Sequence, residues 1–458
     1  MARSKEVYIC QNCAASSPKW QGQCAACGEW NTLVAEVFAP SSRKARVSAA
    51  KNGDLSSSLA AEAIVEVPRL PTGSTELDRV LGGGLVPGSV TLIGGDPGIG
   101  KSTLMLQAAA ALNRSGAVLY ATGEESLKQV ALRARRLGLE AATARLIAET
   151  GVENIVAAAS LLAAHVLIVD SIQTMYSERV EAAPGAVSQL RECTAELVRF
   201  AKLSGTAVLL VGHVTKEGQI AGPRVLEHMV DTVLYFESDT GSRYRVLRSV
   251  KNRFGAANEI GVFAMLEQGL REVTNPSAIF LSRHAEPVSG SVITVMREGT
   301  RSLLIEVQVL ADVALSANPR RVAVGIDANR LTMLLAVAHR HSGLLLQGHD
   351  VFANVVGGVR LTETAGDLAI VMAARSSLMD LPVPNSLIVF GELGLAGEIR
   401  PVPFGEERLR EAAKHGFKQA IVPEANVPKR SPEGMSVRGV TRLNQALDST
   451  ACAADLRR

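Results

Sequence analysis

The stretch SVTLIGGDPGIGKSTLMLQAAAALN, residues 89–113, is compatible with few folds. An apolar, β-branched run enters a loop of the form GxxxxGK[ST], with Gly95, Gly100, Lys101 and Ser102 in place, and the loop opens directly into a helical segment. In that context Gly95, Asp96, Pro97, Gly98, Ile99, Gly100, Lys101, Ser102 and Thr103 form a phosphate cradle. Backbone N–H groups and the helix N-terminus face the anion, Lys101 reaches the terminal phosphates, and the Ser102 hydroxyl is a magnesium ligand. Thr103 helps to position the loop.

The surrounding sequence supplies the sheet that such a loop needs. AVLYATG, HVLIVDS, TAVLLVGHV, DTVLYFES and YRVLRSV are short apolar runs bounded by Gly, Asp or Ser. Helical stretches such as AVSQLRECTAELVRFAKLSG separate several of them. Strand and helix in alternation, with strands apolar throughout, predict a mainly parallel sheet covered on both faces. HVLIVD ends in Asp170, the carboxylate expected to hold magnesium through water. VLYATGEES places Glu124 and Glu125 just past a strand; Glu124 is the preferred base for hydrolysis, whereas Glu125 also suits a helix start. His213, after VLLVG, is either a γ-phosphate sensor or an ordinary strand-end histidine.

Four of the six cysteines fall in the first 27 residues, as Cys10, Cys13, Cys24 and Cys27. Two CxxC turns ten residues apart gather four thiolates, which points to a structural zinc ribbon more than to a redox pair. Such clustering in a long chain fits a reducing cytosol, not a disulfide scaffold. The formal charge is only +3 over 458 residues, so a nucleic-acid surface must come from local clustering. The longest apolar run, from Ile155, is interrupted by Ser160 and His165 and reads as a helix end followed by a strand. No export signal or membrane span is visible.

These boundaries divide the chain into a zinc module at 1–35, a Ser/Ala-rich flexible linker at 36–63, an ATPase-type α/β domain at 64–275, and an α+β domain at 276–458 with strands SVITVMREGT, SLLIEVQVLA and SLIVFGEL and two apolar helices. Near the end of the ATPase-type domain lies SVKNRFGAAN, where Lys251 and Arg253 crowd what reads as one tight turn.

A four-cysteine module, a tether, this phosphate loop, KNRFG and a C-terminal α+β domain, in that order, closely resemble the RadA (Sms) family of bacterial DNA repair proteins. The resemblance spans essentially the whole chain, and KNRFG is its most specific motif. It implies a RecA-like ATPase core and a C-terminal domain like the proteolytic domain of Lon. It also implies a hexameric ring, cytoplasmic and nucleoid-associated, that uses ATP, Mg²⁺ and Zn²⁺. The ring would move on single-stranded and branched DNA with the RecA recombinase, in branch migration and D-loop extension. By the resemblance Glu124 is the catalytic glutamate, and TKEGQIAGPRVLEH is a channel loop whose Lys216 and Arg224 track DNA phosphates. The KNRFG turn lies where ring neighbours meet. The resemblance thereby implies a catalytic role for Lys251 in coupling hydrolysis to DNA; a cation of the turn, Lys251 or Arg253, reaches a neighbour's γ-phosphate, and Arg253 serves that contact or a DNA phosphate.

Lon-type proteases use a serine and a lysine. The matching segments, TETAGDLA and PFGEERL, carry Ala365 and Glu406 there, so no peptidase activity is expected. The domain is instead expected to be an assembly platform with a surface for duplex DNA; its cations include Arg301, Arg320, Arg321, Arg330 and Arg360, each of which reads by default as part of a solvated face. Two other activities compete with a DNA motor: an ATP-controlled assembly switch and, least favoured, an ATP-dependent protease.

Overall fold

The computed structural model describes residues 5–10, 15–38, 68–139, 143–213, 225–237, 243–278, 281 and 286–455. The chain divides into two compact units, 1–273 and 274–458. The expected linker lies outside the described residues from 39 onward.

At the N-terminus β1 (Lys5–Cys10), β2 (Ser16–Ser17) and β3 (Leu33–Phe38) form an antiparallel sheet in the order β2-β1-β3. Cys10, Cys24 and Leu33 are its buried cluster. So few apolar side chains cannot offset the entropy of ordering the ribbon, and metal ligation has to supply the difference.

The phosphate-loop core begins with α1 (Thr75–Leu81), capped by the Ser74 side chain and ended by Gly82 at φ 83°. It continues through β4 (Val90–Gly94), α2 (Lys101–Leu112), β5 (Val118–Thr122), α3 (Leu127–Arg136), β6 (Arg145–Ala148) and α4 (Val152–Leu161). Next come β7 (Val166–Asp170), α5 (Val187–Ser204), β8 (Ala207–Val211), α6 (Val225–Met229) and β9 (Thr232–Glu237). β10 (Tyr244–Asn252), β11 (Ile260–Leu266) and β12 (Gly269–Glu272) close the unit. Among the described residues nine strands form one sheet in the order β12-β11-β10-β9-β4-β8-β7-β5-β6. It is parallel from β9 to β6 and antiparallel from β9 to β12.

The apolar strands are explained by two cores. Along β4, Val90 and Leu92 pack on one face and Ile93 on the other; along β7, Leu167 and Val169 oppose Val166 and Ile168. Successive side chains point to opposite faces, so a strand covered on both sides has no polar positions to alternate with. Each fully buried Leu or Ile contributes about 1.5–3 kcal/mol. The six strands read from sequence are all present. Three were missed: β6 is half exposed at the sheet edge, and β11 and β12 form a short antiparallel hairpin.

The second unit holds β13 (Ser291–Glu298), β14 (Arg301–Val313), β15 (Arg321–Val324), α7 (Ala328–Ser342), β16 (His349–Val355) and α8 (Asp367–Met379). Then follow β17 (Leu387–Val389), β18 (Glu392–Leu393), β19 (Ile399–Arg400), α9 (Gly405–Lys414), β20 (Gln419–Pro423), β21 (Ser436–Val440) and α10 (Leu443–Asp455). A mixed sheet in the order β15-β16-β14-β13-β17-β20-β21 is the frame, and α8 packs on β13 and β14. No helix among the described residues is long and apolar enough to cross a membrane.

Candidate functional site

In a parallel α/β sheet ligands bind beyond the carboxyl ends of the strands, where loops are free of the ladder. Four adjacent strands, β4, β8, β7 and β5, end on the same edge. They deliver Lys101, His213, Asp170 with Ser171, and Glu124 respectively.

Lys101 opens α2 and is 4% exposed. Its Nζ donates to the carbonyls of Gly95 at 2.6 Å and Asp96 at 2.9 Å, and lies 3.2 Å from His213 Nδ1. Burial lowers its pKa from 10.5 to about 8, against the opposing pull of Asp170, Glu124 and Asp96. A buried ammonium facing carbonyls is a preorganised partner for an anion.

His213 joins the lysine to the candidate base. Its Nε2 lies 3.0 Å from Glu124 Oε1, and Ser171 Oγ donates to the same oxygen. The imidazole of His213 thus lies between the ammonium at Nδ1 and the carboxylate at Nε2. Glu125 instead pairs with Arg133 of α3 while its backbone N–H reaches Thr122 Oγ1 at 3.1 Å. The two adjacent glutamates thus have separate surroundings, one facing the phosphate loop and one bound to a helix. Asp170 is buried at the end of β7 and accepts from Tyr120 OH at 2.5 Å. Burial and Asp170 together push the Tyr120 phenol well above its ordinary pKa, which keeps it a donor. Ser171 and Tyr120 were not read from the sequence as site residues. The only signal was a hydroxyl next to Asp170 and a lone polar tip in the apolar run of β5.

The KNRFG segment differs from expectation in one respect. Lys251 lies within β10, past a register shift between Ser249 and Lys251, and only Arg253 follows in the turn. Lys251 Nζ donates to Glu227 O at 2.7 Å and Val230 O at 2.8 Å, satisfying carbonyls at the C-terminal end of α6 that the helix leaves unbonded. Desolvation and the neighbouring Arg253 lower its pKa. Arg253 reaches Asp231 at 3.3 Å, and buried Asp231 also accepts from Lys202 at 2.8 Å and from Val90 N at 3.0 Å. Asn252 donates to Val80 O of α1 at 3.3 Å, and Arg69 to Phe254 O at 2.5 Å. A Cβ on Gly255 would lie 3.0 Å from Gly82 Cα, so the glycine is required by close backbone approach. Lys216 and Arg224, with their loop from 214 to 224, lie outside the described residues.

In the ribbon, Cys10, Cys24 and Cys27 bring their sulfurs within 4.8 Å of one another, and Cys10 Sγ is 3.7 Å from Cys27 Sγ. Tetrahedral zinc with metal–sulfur bonds of ~2.3 Å requires sulfurs about 3.8 Å apart. The donor set fits zinc; Cys13 lies outside the described residues.

In the second unit Ala365 is buried at 2% exposure and Glu406 pairs with Arg410 on the surface of α9. Glu363 is bound by buried Arg408. Of the cations assigned to duplex DNA, Arg330 holds buried Asp367 through Nε at 3.0 Å and a second, shorter bond, Arg320 reaches Asp350 at 3.1 Å, and Arg321 donates to the carbonyls of Leu346 and His349. These three are engaged within the unit.

Three families match parts of the chain: an AAA domain over residues 57–219, a rubredoxin metal binding domain over 8–35, and subunit ChlI of Mg-chelatase over 320–426. The curated DNA repair protein RadA of Pseudomonas aeruginosa is 58% identical over 451 residues, covering 98% of this chain and 99% of that protein. RadA of Escherichia coli is 55% identical, with 97% and 98% covered, and RadA of Bacillus subtilis 51% identical, with 98% and 99% covered. Among solved structures, the RadB recombinase is 23% identical with a TM-score of 0.36, covering 44% of this chain and 99% of that one. The architecture is that of a zinc ribbon, a RecA-like ATPase core and a Lon-like α+β domain.

Proposed function

The chain belongs to the RadA family of DNA repair proteins, and on that premise we propose that it is a DNA-dependent ATPase that moves on single-stranded DNA and promotes branch migration with RecA. The observation that carries this reading is the contact chain Lys101–His213–Glu124–Ser171 beside Asp170. It joins a phosphate-binding cation to a carboxylate able to orient a water.

In this reading the triphosphate draws Lys101 from the Gly95 and Asp96 carbonyls, and the lysine balances charge developing on the phosphate oxygens. Ser102 and Asp170 would hold Mg²⁺, which supplies electrostatic screening of the phosphates. Released from His213, Glu124 orients water for in-line attack on the γ-phosphorus and takes up its proton as the bond to the β–γ bridging oxygen breaks and ADP leaves. His213, at the head of the loop carrying Lys216 and Arg224, passes the state of the nucleotide to DNA. In a hexameric ring, Lys251 or Arg253 meets the neighbour's γ-phosphate. Zinc on Cys10, Cys13, Cys24 and Cys27 is structural.

ATP turnover with and without single-stranded DNA, in the wild type, Lys101→Ala and Lys251→Ala, tests the proposal. Stimulation by DNA that weakens with salt and disappears in Lys101→Ala is expected. Turnover indifferent to DNA in all three would favour an assembly switch.

A further inference from the structure

The chain has two tryptophans, and both lie in the N-terminal ribbon, as Trp20 and Trp30. We infer that they form a stacking platform for the bases of single-stranded DNA. The inference rests on the proposed action on single-stranded DNA and adds a contact site in the ribbon.

The fold of the ribbon leaves both rings unused. Its buried cluster is Cys10, Cys24 and Leu33, with Tyr8 and Ala15 packed against it, whereas Trp20 is 57% exposed and Trp30 67%. Leaving two such large apolar side chains in water forgoes stabilisation that a module with so small a core could use. Backbone contacts nevertheless fix where they stand. Trp30 pairs with Gln23 in an antiparallel bridge, and Asn31 N donates to Gly22 O at 2.7 Å. Just before Trp20, Ser17 Oγ donates to Lys19 O at 2.6 Å. The two rings converge on Gly22: a Cβ there would lie 3.5 Å from Trp30 Cζ3 and 3.9 Å from Trp20 Cη2.

Charge and shape select the occupant. In the sequence the ribbon is followed by Arg43, Lys44, Arg46 and Lys51, with no carboxylate between Glu36 and Asp54. These cations are no part of the site, but they set the sign of a partner as a polyanion. Within the ribbon, exposed Lys19 next to Trp20 is offset by exposed Glu29 next to Trp30. Charge at the pair itself therefore cannot hold phosphates, and the indoles have to hold bases. A single strand presents its bases free to stack on aromatic side chains whatever its sequence.

Because both tryptophans are in the ribbon, the intrinsic emission of the full chain reports on that module alone. Oligothymidylate should quench the wild type, and an abasic oligonucleotide of equal length should not. By anisotropy of labelled oligothymidylate, Trp20→Ala and Trp30→Ala should each weaken binding roughly five- to tenfold. Trp20→Phe and Trp30→Phe, which keep a ring, should retain most of the affinity. Oligothymidylate bound without quenching, or equal quenching by the abasic strand, would overturn the platform while keeping the single-strand reading. Phenylalanine variants as weak as the alanine variants would also overturn it, by showing that the residues serve folding. Quenching by RecA and not by DNA would make the pair a protein-docking surface instead. Binding of neither oligonucleotide would remove both readings.

Discussion

The edge of the first unit that carries Lys101 and the region around Ala365 in the second treat charge in opposite ways. Around Lys101 the ionisable groups are held by contacts that a ligand can replace: carbonyls, an imidazole and a serine. In the second unit the carboxylates are closed into ion pairs with arginines, Glu363 with Arg408 and Asp367 with Arg330. Ala365, the residue expected in place of a Lon-type serine, is sealed in the core. Chemical competence requires charges left exchangeable, whereas charges bound in rigid pairs hold a fold together.

The largest effect should come from breaking the closed region. Arg408→Met removes a guanidinium that also donates to the carbonyls of Val295 and Pro403. Chemical denaturation followed by circular dichroism should show a loss of about 3–5 kcal/mol, with nucleotide binding retained. Unchanged stability would erase the contrast drawn above.

In the open region, Glu124→Gln should lower ATP turnover about 10²–10³-fold with little change in nucleotide affinity, while Glu125→Gln stays near wild type. Equal losses in steady-state kinetics would show that the two glutamates are not distinguished by their surroundings.

The lysine adds a pH dependence. Because burial brings Lys101 to about 8 from 10.5, the free site loses its cation as pH rises through about 8. ATP affinity should then fall toward tenfold per pH unit, and calorimetry in buffers of different ionisation enthalpy should detect proton uptake on binding. For folding the sign is opposite. The cost of the buried ammonium is complete below about 8, and the unfolded chain binds more protons between about 8 and 10.5, so stability rises across that window.

Lys251 tests whether a motif cation can belong to both classes. Lys251→Met leaves the carbonyls of Glu227 and Val230 without their ammonium. Hydrogen exchange of amides 225–231 should accelerate roughly tenfold without nucleotide; unaltered exchange would argue that the cap contributes nothing to α6. The smallest effect belongs to Glu406→Ala, whose pair with Arg410 is exposed on both sides. Stability should change by less than about 0.5 kcal/mol, with peptidase activity absent before and after.

Reading from the sequence succeeded where one local pattern has one physical solution. GxxxxGK[ST] between a strand and a helix set the phosphate loop, and apolar strands set a two-sided sheet. It failed where the signal was weak or distributed. β6 and β12 are too short and too exposed to stand out. The partners of KNRFG lie far along the chain: Asn252 meets Val80, and Arg69 meets Phe254. Charges are legible in sequence, but their partners are not. Asp367 and Asp350 account for Arg330 and Arg320 only once the sheet is folded.

The sequence by itself determined the phosphate loop, the cysteine spacing, and the alternation of strand and helix. Each is encoded in residues close together, where backbone geometry leaves little choice. Only the tertiary structure decided between Glu124 and Glu125 as the residue facing Lys101 and tied Lys251 to α6. Those outcomes depend on which strands become neighbours in the sheet, and packing settles that order across more than a hundred residues of chain.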